Sequence, residues 1–270
     1  MLLVNVSDKF YIRLTKDYDF ECGGSRVVKG ASLRRWWRRP TRVRIPSPAL
    51  FFKGVFLEKN SSKLEEHKIE ALESQELSKR KSLLDNLKKE GIIAELVGNR
   101  IIIWDHDKGF KVFAAGFFGK PIGIPKPRIE PFKRPLEISF FEALYLMEKK
   151  VLKVKDVQGT DLSQNKLIEL ANSYIHDFES KYQVYRDLRE KGFVVRPGLK
   201  FGSDFAVYRY GPGIDHAPFL VTVYPSDTKL LGIDLVRAGR LATSVRKKWV
   251  IATITHERGI KYFVFSWFKA

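Results

Sequence analysis

Five histidines limit where proton chemistry could sit in this chain of 270 residues. His67 lies in a charged helical stretch, His106 within WDHDKG, His176 in an amphipathic helical run and His256 in a turn, and each reads as a surface or structural histidine. His216 differs. It follows the glycine-rich turn YGPGID and precedes the apolar run APFLVTV, a place where a loop carries function on a rigid scaffold. Tyr208 closes the apolar run eight residues earlier, and SVRKKWV sets Arg246, Lys247 and Lys248 between a helical stretch and a strand-like one. A tyrosine, a histidine and a lysine are the groups needed to cleave RNA without a metal. One takes the proton of a 2′-hydroxyl, one protonates the departing 5′-oxygen, and a cation stabilises charge on the phosphorane. A free phenol titrates near 10, so a tyrosine base needs cations close by, whereas imidazole exchanges protons near neutrality. On spacing alone, a core tyrosine, a turn histidine and a solvated basic cluster explain the same residues equally well. A metal-dependent nuclease recruiting Asp204, Asp215 and Asp234 is a weaker alternative, because those three stand beside glycine turns and a helix without a ligand spacing.

The elements that must hold these groups alternate in period. SSKLEEHKIEALESQELSKRKSLLDNLKKEG is rich in Glu, Lys and Leu between an Asn60-Ser61-Ser62 start and the stop at Gly91, which predicts one or two exposed helices. IIAELVGNRIIIWD then predicts a hairpin turning at Gly98-Asn99, with KGFKVFAAGFFGKPIG continuing the strand pattern. Pro121, Pro125, Pro127, Pro131 and Pro135 mark a basic loop over 119–134 that could touch RNA. LEISFFEALYLMEKKVLKV predicts a helix, and DLSQNKLIELANSYIHDFESKYQVYRDLREKG a long helical stretch stopped by Gly192. From Phe193 the runs are strand-like with glycine turns, then helical over TKLLGIDLVRAGRLATSVRKK, and the chain closes on two strands, WVIATITHERGIKYFVFSWF. The whole predicts an α+β fold: a small N-terminal mixed α/β domain over 91–170, then a domain over 171–270 with a mixed β-sheet flanked by helices.

Composition narrows the class. Forty-nine Lys and Arg against 31 Asp and Glu give +18, and residues 55–270 alone carry +10, so a polyanion is the first partner to expect. A single cysteine, Cys22, excludes an internal disulfide and a cysteine-based zinc site. Apolar runs such as FLVTVY are far shorter than the roughly 20 residues of a membrane span, so no membrane association is expected. The start lacks a signal-peptide layout, which predicts a cytoplasmic protein. Two methionines with abundant Lys and Glu lean towards a heat-adapted source.

YRDLREKGFVVRPGLKFGSDFAVYRYGPGIDHAPFLVTVYP, followed by GRLATSVRKKWVIA and a final aromatic strand, resembles the catalytic domain of the archaeal tRNA-splicing endonucleases over 182–268. Residues 92–165 resemble that family's smaller N-terminal domain. The resemblance implies Tyr208 as general base, His216 as general acid and Lys247 as the cation at the transition state, with neither cofactor nor metal. It implies excision of introns from precursor tRNA at bulge-helix-bulge sites, leaving a 2′,3′-cyclic phosphate and a 5′-hydroxyl. The family also has non-catalytic structural subunits that lack these three residues, which leaves an RNA-binding subunit as the alternative. Arg240 matches an arginine that flanks the extruded base; Arg246, Lys200 and Lys261 are further candidates for RNA contact. Family members assemble with two-fold symmetry, one subunit's acidic loop inserting into its neighbour. The matching loop, THERGI, has Glu257 as its single carboxylate. A heterotetramer with a second, structural endonuclease subunit is expected, a homodimer or homotetramer being the alternatives.

The resemblance covers nothing before about residue 90. Residues 1–54 include the arginine-rich GGSRVVKGASLRRWWRRPTRVRIPSPAL with Trp36-Trp37, whose composition also suits a nucleic-acid-binding arm. Arg42-Val43-Arg44-Ile45-Pro46 is what the T-arm of a tRNA gene encodes in one frame, and Val27-Val28-Lys29-Gly30 can be encoded by a D-arm. Their separation of roughly 48 nucleotides matches that between the two arms, which reads as translation of an upstream tRNA gene. On this reading 1–54 is spurious and disordered, 55–90 is a helical extension, and the protein starts at Val55 or later, up to about residue 92.

Overall fold

The computed structural model describes residues 2–5, 78–125, 127–255 and 259–267. They fall into two compact units. Unit I holds Arg196–Ala206 and Pro218–Ala270 together with Met1–Ser62, and unit II holds Lys63–Val195 and Val207–Ala217. The first element, β1 (Leu2–Asn5), is an edge strand of the unit I sheet, although it lies in the segment 1–54 expected to be disordered. The arginine-rich segment, most of the predicted 60–90 helices, and His67, His256 and Glu257 lie outside the described residues.

The first described residues of unit II, 78–87, are helical (α1), and of these only Leu87 is buried. The predicted hairpin follows: β2 (Ile92–Val97) pairs antiparallel with β3 (Arg100–Ile103), with Gly98 at φ 63° in the two-residue turn. The next stretch departs from the strand expected there, forming α2 (His106–Gly116). Asp105 caps it by accepting a bond from Lys108 N at 3.0 Å, worth about 1 kcal/mol. Gly109, Val112, Phe113 and Gly116, spaced three and four apart, form its buried face. The glycines and aromatics that resemble a strand are there for close packing. A Cβ on Gly109 would stand 3.1 Å from Leu136 Cβ, and one on Gly116 2.8 Å from the Phe118 ring.

After β4 (Lys120–Pro121), the helix expected over LEISFFEALYLMEKKVLKV is split. β5 (Leu136–Ile138) and β6 (Leu152–Lys155) flank a nine-residue α3 (Phe140–Glu148). A capping box starts α3: Ser139 Oγ accepts from Glu142 N, and Glu142 Oε2 accepts from Ser139 N at 2.9 Å. β7 (Asp161–Leu162) completes a six-stranded sheet in the order β4-β5-β3-β2-β6-β7, in which β2 and β6 run parallel. The expected long helix is two, α4 (Gln164–Tyr174) and α5 (Phe178–Glu190), broken where Asp177 takes φ 55°. α5 stacks aromatics on α3, with Phe141 4.9 Å from Phe178 and 5.8 Å from Tyr185. That packing draws α5 into unit II, although it belongs in sequence to the second half of the chain.

The chain passes between the units through β8 (Val194–Pro197) and β9 (Phe205–Tyr208), which flank a 3-10 turn at Leu199–Phe201. Unit I then contains β10 (Phe219–Pro225), α6 (Gly232–Ser244), β11 (Lys248–Ile254) and β12 (Ile260–Trp267). The sheet order is β1-β12-β11-β10-β9-β8. β10 and β11 run parallel, Phe219 opposite Lys248, because α6 provides the crossover that a parallel pair needs. β11 and β12 are antiparallel, as the closing strand pair predicted. Both sheets with their helices make the α+β fold expected from the sequence.

Candidate active site

The glycine turn of unit II carries two of the three chemical candidates. Tyr208, half-buried, ends β9; His216, exposed, stands eight residues on, just beyond the bridge between Pro212 and Asp215. Asp215 organises everything between. One carboxylate oxygen accepts from Gly211 N at 2.7 Å, and the other from Arg209 N at 3.0 Å and Tyr210 N at 3.4 Å. Gly211 returns the bond, its carbonyl accepting from Asp215 N at 3.0 Å and from Ile214 N at 3.1 Å. The backbone donors of Arg209, Tyr210, Gly211, Ile214 and Asp215 are thereby satisfied within the turn, which ties it together.

Gly211 itself has no alternative. Its φ of 139° is one that side chains rarely adopt, and a Cβ there would stand 2.3 Å from the Phe117 ring. Phe117 is also committed. It is buried at φ 55°, in the left-handed region that ends α2, with its N–H bonded to Phe113 O at 2.6 Å.

Unit I holds the third candidate. α6 ends in a Schellman arrangement, Arg246 N donating to Thr243 O at 3.0 Å and Lys247 N to Ala242 O at 2.8 Å. Arg246 occupies the left-handed position usually given to glycine, at φ 54°. The chain then enters β11 at Lys248, whose N–H bonds Pro218 O at 2.8 Å, so the backbone of Lys247 is fixed from both sides. Its half-buried side chain lies over the Phe201 ring, Nζ 5.5 Å from the centroid, and Lys200 Nζ lies 4.8 Å from the same ring. Lys200 and Lys247, distant in sequence, therefore share one aromatic platform. Arg240 and Arg246 are exposed on α6 and at its end. Lys261 is exposed on β12 opposite Thr253, five residues along β11 from Lys248 and so roughly 16 Å away along the strand.

The turn that supports Lys247 depends on Gly198, where a Cβ would stand 2.3 Å from Ser203 Oγ. Asp204 ties this turn to β10 by accepting from Val223 N at 2.8 Å. Asp215 is engaged in its loop, and Asp234 pairs with Arg237 at 3.8 Å. Among the described residues no three His, Cys, Asp or Glu side chains gather as a metal site would require. His106 begins α2 and His176 pairs on the surface with Asp177 at 2.8 Å. Among the described residues no helix is long and apolar enough to cross a membrane.

Two of these functional residues escape sequence reasoning. Asp215 reads in the sequence as one of three carboxylates that a metal could recruit, and its bonds run back to the backbone of residues four to six places earlier. Phe201 carries no signal beyond its place between Lys200 and Gly202.

Each unit thus has one mixed sheet, with a tyrosine and a histidine on a braced loop of unit II and a lysine at a helix end of unit I. The comparison with known families gives the class. The description "tRNA intron endonuclease, N-terminal domain" matches residues 92–168, and "tRNA intron endonuclease, catalytic C-terminal domain" matches 178–262. A tRNA-splicing endonuclease of Hyperthermus butylicus is 45% identical over 179 residues, which are 66% of this chain and 99% of that protein. Those of Saccharolobus islandicus and Saccharolobus solfataricus are each 42% identical over 178 residues, 65% of this chain and 98% of theirs. The chain belongs to the tRNA intron endonuclease family. Roughly a third of it has no counterpart in these relatives.

Proposed function

We propose that this protein excises introns from precursor tRNA at bulge-helix-bulge sites by metal-independent attack of a 2′-hydroxyl on its own neighbouring phosphate. Tyr208 takes the 2′-hydroxyl proton, the O2′–P bond forms, and the P–O5′ bond breaks as His216 protonates the departing 5′-oxygen. Lys247 neutralises the charge that gathers on the phosphorane oxygens. The products are a 2′,3′-cyclic phosphate and a 5′-hydroxyl, with no water nucleophile. The observation that carries this reading is the loop 208–216: the proposed base and acid stand at its two ends, and Asp215 accepts from the N–H groups of Arg209, Tyr210 and Gly211 between them. Holding reacting groups in place before substrate arrives is how such a site lowers its barrier.

Arg240, Arg246, Lys200 and Lys261 contact the RNA in this reading. The protein works in the cytoplasm as a two-fold assembly, a heterotetramer with a structural subunit, in which Glu257 docks into a neighbour. The test is cleavage of an intron-containing precursor tRNA in EDTA, with the new ends analysed for cyclic phosphate. Tyr208→Phe, His216→Ala and Lys247→Ala should each lose about 10²- to 10⁴-fold in single-turnover rate. Undiminished cleavage by His216→Ala, or failure of the wild-type protein to cleave without metal, would overturn the assignment.

A further inference from the structure

In the loop that carries Tyr208 and His216, Asp215 accepts from the N–H groups of Arg209, Tyr210 and Gly211, while the carbonyls of Arg209 and Tyr210 need a donor that a carboxylate cannot supply. They are met from outside both family-matched segments. Arg80, on α1, donates from Nη2 to Tyr210 O at 2.8 Å and from Nη1 to Arg209 O at 3.3 Å. The same Nη1 reaches Gly192 O at 2.6 Å, just beyond the end of α5. These bonds span 112 to 130 residues of sequence. We propose that Arg80 is a positioning residue for cleavage, the cationic half of a two-sided clamp whose anionic half is Asp215.

Three observations support the role. The first is what α1 otherwise offers. Among its described residues only Leu87 is buried, and Arg80 and Leu84 are half-buried, so these residues offer little apolar surface with which to dock. Bonds from a guanidinium to carbonyls are among the stronger ones available, which makes Arg80 a firm attachment of the described part of α1 to the loop. The second is the completeness of the bonding. With Arg80 in place, both the N–H and the C=O of Arg209 and of Tyr210 are used, the former by Asp215 and the latter by Arg80. The third is Gly192. Arg80 joins the loop to the turn after α5, where Gly192 and Phe193 close the helix, and a cation at a helix C-terminus is electrostatically favoured. The loop is thus referenced to a packed helix as well as to itself. These three bonds all end on backbone carbonyls and none on a reacting group. Arg80 acts through the backbone that sets the direction of the Tyr208 and His216 side chains.

The inference rests on the catalytic reading above, and its test separates the two. The full chain is compared with Arg80→Ala and Arg80→Lys in hydrogen exchange of the peptide covering 207–217, and in single-turnover cleavage of an intron-bearing precursor tRNA at saturating enzyme. Arg80→Ala should speed exchange of the 209–211 amides whether or not the protein cleaves RNA. Its cleavage rate should fall about 10- to 100-fold with RNA affinity unchanged, because a small misplacement of a catalytic group has that effect. Arg80→Lys, which keeps the charge but reaches fewer carbonyls, should fall between. Unchanged exchange in Arg80→Ala overturns the clamp. A loss of affinity that matches the loss of rate overturns the positioning role and makes Arg80 an RNA contact. Failure of the wild-type chain and of Tyr208→Phe to differ in cleavage would sink the catalytic reading while leaving the exchange result to decide the clamp.

Discussion

Glu142 and Arg189 face each other at 3.9 Å with both side chains almost wholly buried, one on α3 and the other on α5. Neither leaves its remaining capacity unused. Glu142 Oε1 accepts from Gly119 N at 2.9 Å, and Arg189 donates to Tyr185 Oη, Gly116 O and Val195 O while its guanidinium lies 4.2 Å from the Phe118 ring centroid. The pair joins a residue of the family's N-terminal segment to one of its catalytic segment, inside unit II.

Removing one partner of this pair should be severe. Arg189→Met leaves a carboxylate buried without its cation and strands two backbone carbonyls, at a cost of about 3–5 kcal/mol. The thermal midpoint should fall by about 10 °C or more by circular dichroism. A fall within about 2 °C would show that water reaches Glu142.

Alkaline pH should test the same cluster. Burial holds the Tyr185 phenol above its ordinary value of 10, and burial does the same for Tyr145, Tyr182 and Tyr224. The unfolded chain releases these protons near pH 10 while the folded chain retains them, so their stabilisation is complete below pH 10 and is lost as pH rises beyond it. Urea unfolding should show a slope that Tyr185→Phe reduces by up to about 1.4 kcal/mol per pH unit. The same variant should lose about 1–3 kcal/mol at neutral pH, because Arg189 Nε loses its acceptor. An unaltered alkaline slope would mean that Tyr185 titrates normally.

Backbone and side-chain roles of Arg246 can be separated. Glycine suits its left-handed conformation, so Arg246→Gly should hold or raise stability by up to about 1 kcal/mol. If the guanidinium meets a phosphate, the same change should weaken RNA binding and lower the salt slope by about 1 in fluorescence anisotropy. Weakened folding with unchanged binding would reverse both assignments.

The arginine-rich start should be dispensable. A chain beginning at Val55 loses the edge strand β1 but keeps β12 paired to β11, α1 with Arg80, the loop 208–216 and Lys247, and should cleave precursor tRNA within about twofold of the full chain. Intact-mass measurement of the native protein should place its N-terminus at or after Val55. A native protein that starts at Met1, or a large loss of rate in the shorter chain, would restore the segment as a functional arm.

Much of this architecture was legible in the residues. The hairpin at Gly98-Asn99, the helix before SVRKK and the closing strand pair follow from period and turn chemistry alone. α2 was not, because Gly109, Phe110, Phe113 and Gly116 are strand-like in type, and the signal that they form a helix is one capping aspartate and a spacing that shows only once the start is fixed. The break at Asp177 was hidden for the converse reason: helical spacing continues across it. For the site, Tyr208, His216 and Lys247 stand out by type and place. The bonds that aim Tyr208 and His216 do not, since a carboxylate four residues from its turn and an arginine 129 or 130 residues from the carbonyls it holds leave no local pattern.

The contact between Gly211 and the Phe117 ring has a consequence for descent. Gly211 lies in the segment matched by the family's catalytic domain and Phe117 in that matched by its N-terminal domain, yet each occupies the space the other leaves. A side chain at position 211 has no room unless the residue at 117 gives way. A hybrid that takes its first half from a relative with a differently shaped residue at position 117 should keep Tyr208 and His216 and yet carry them on a loop packed differently from the one seen here.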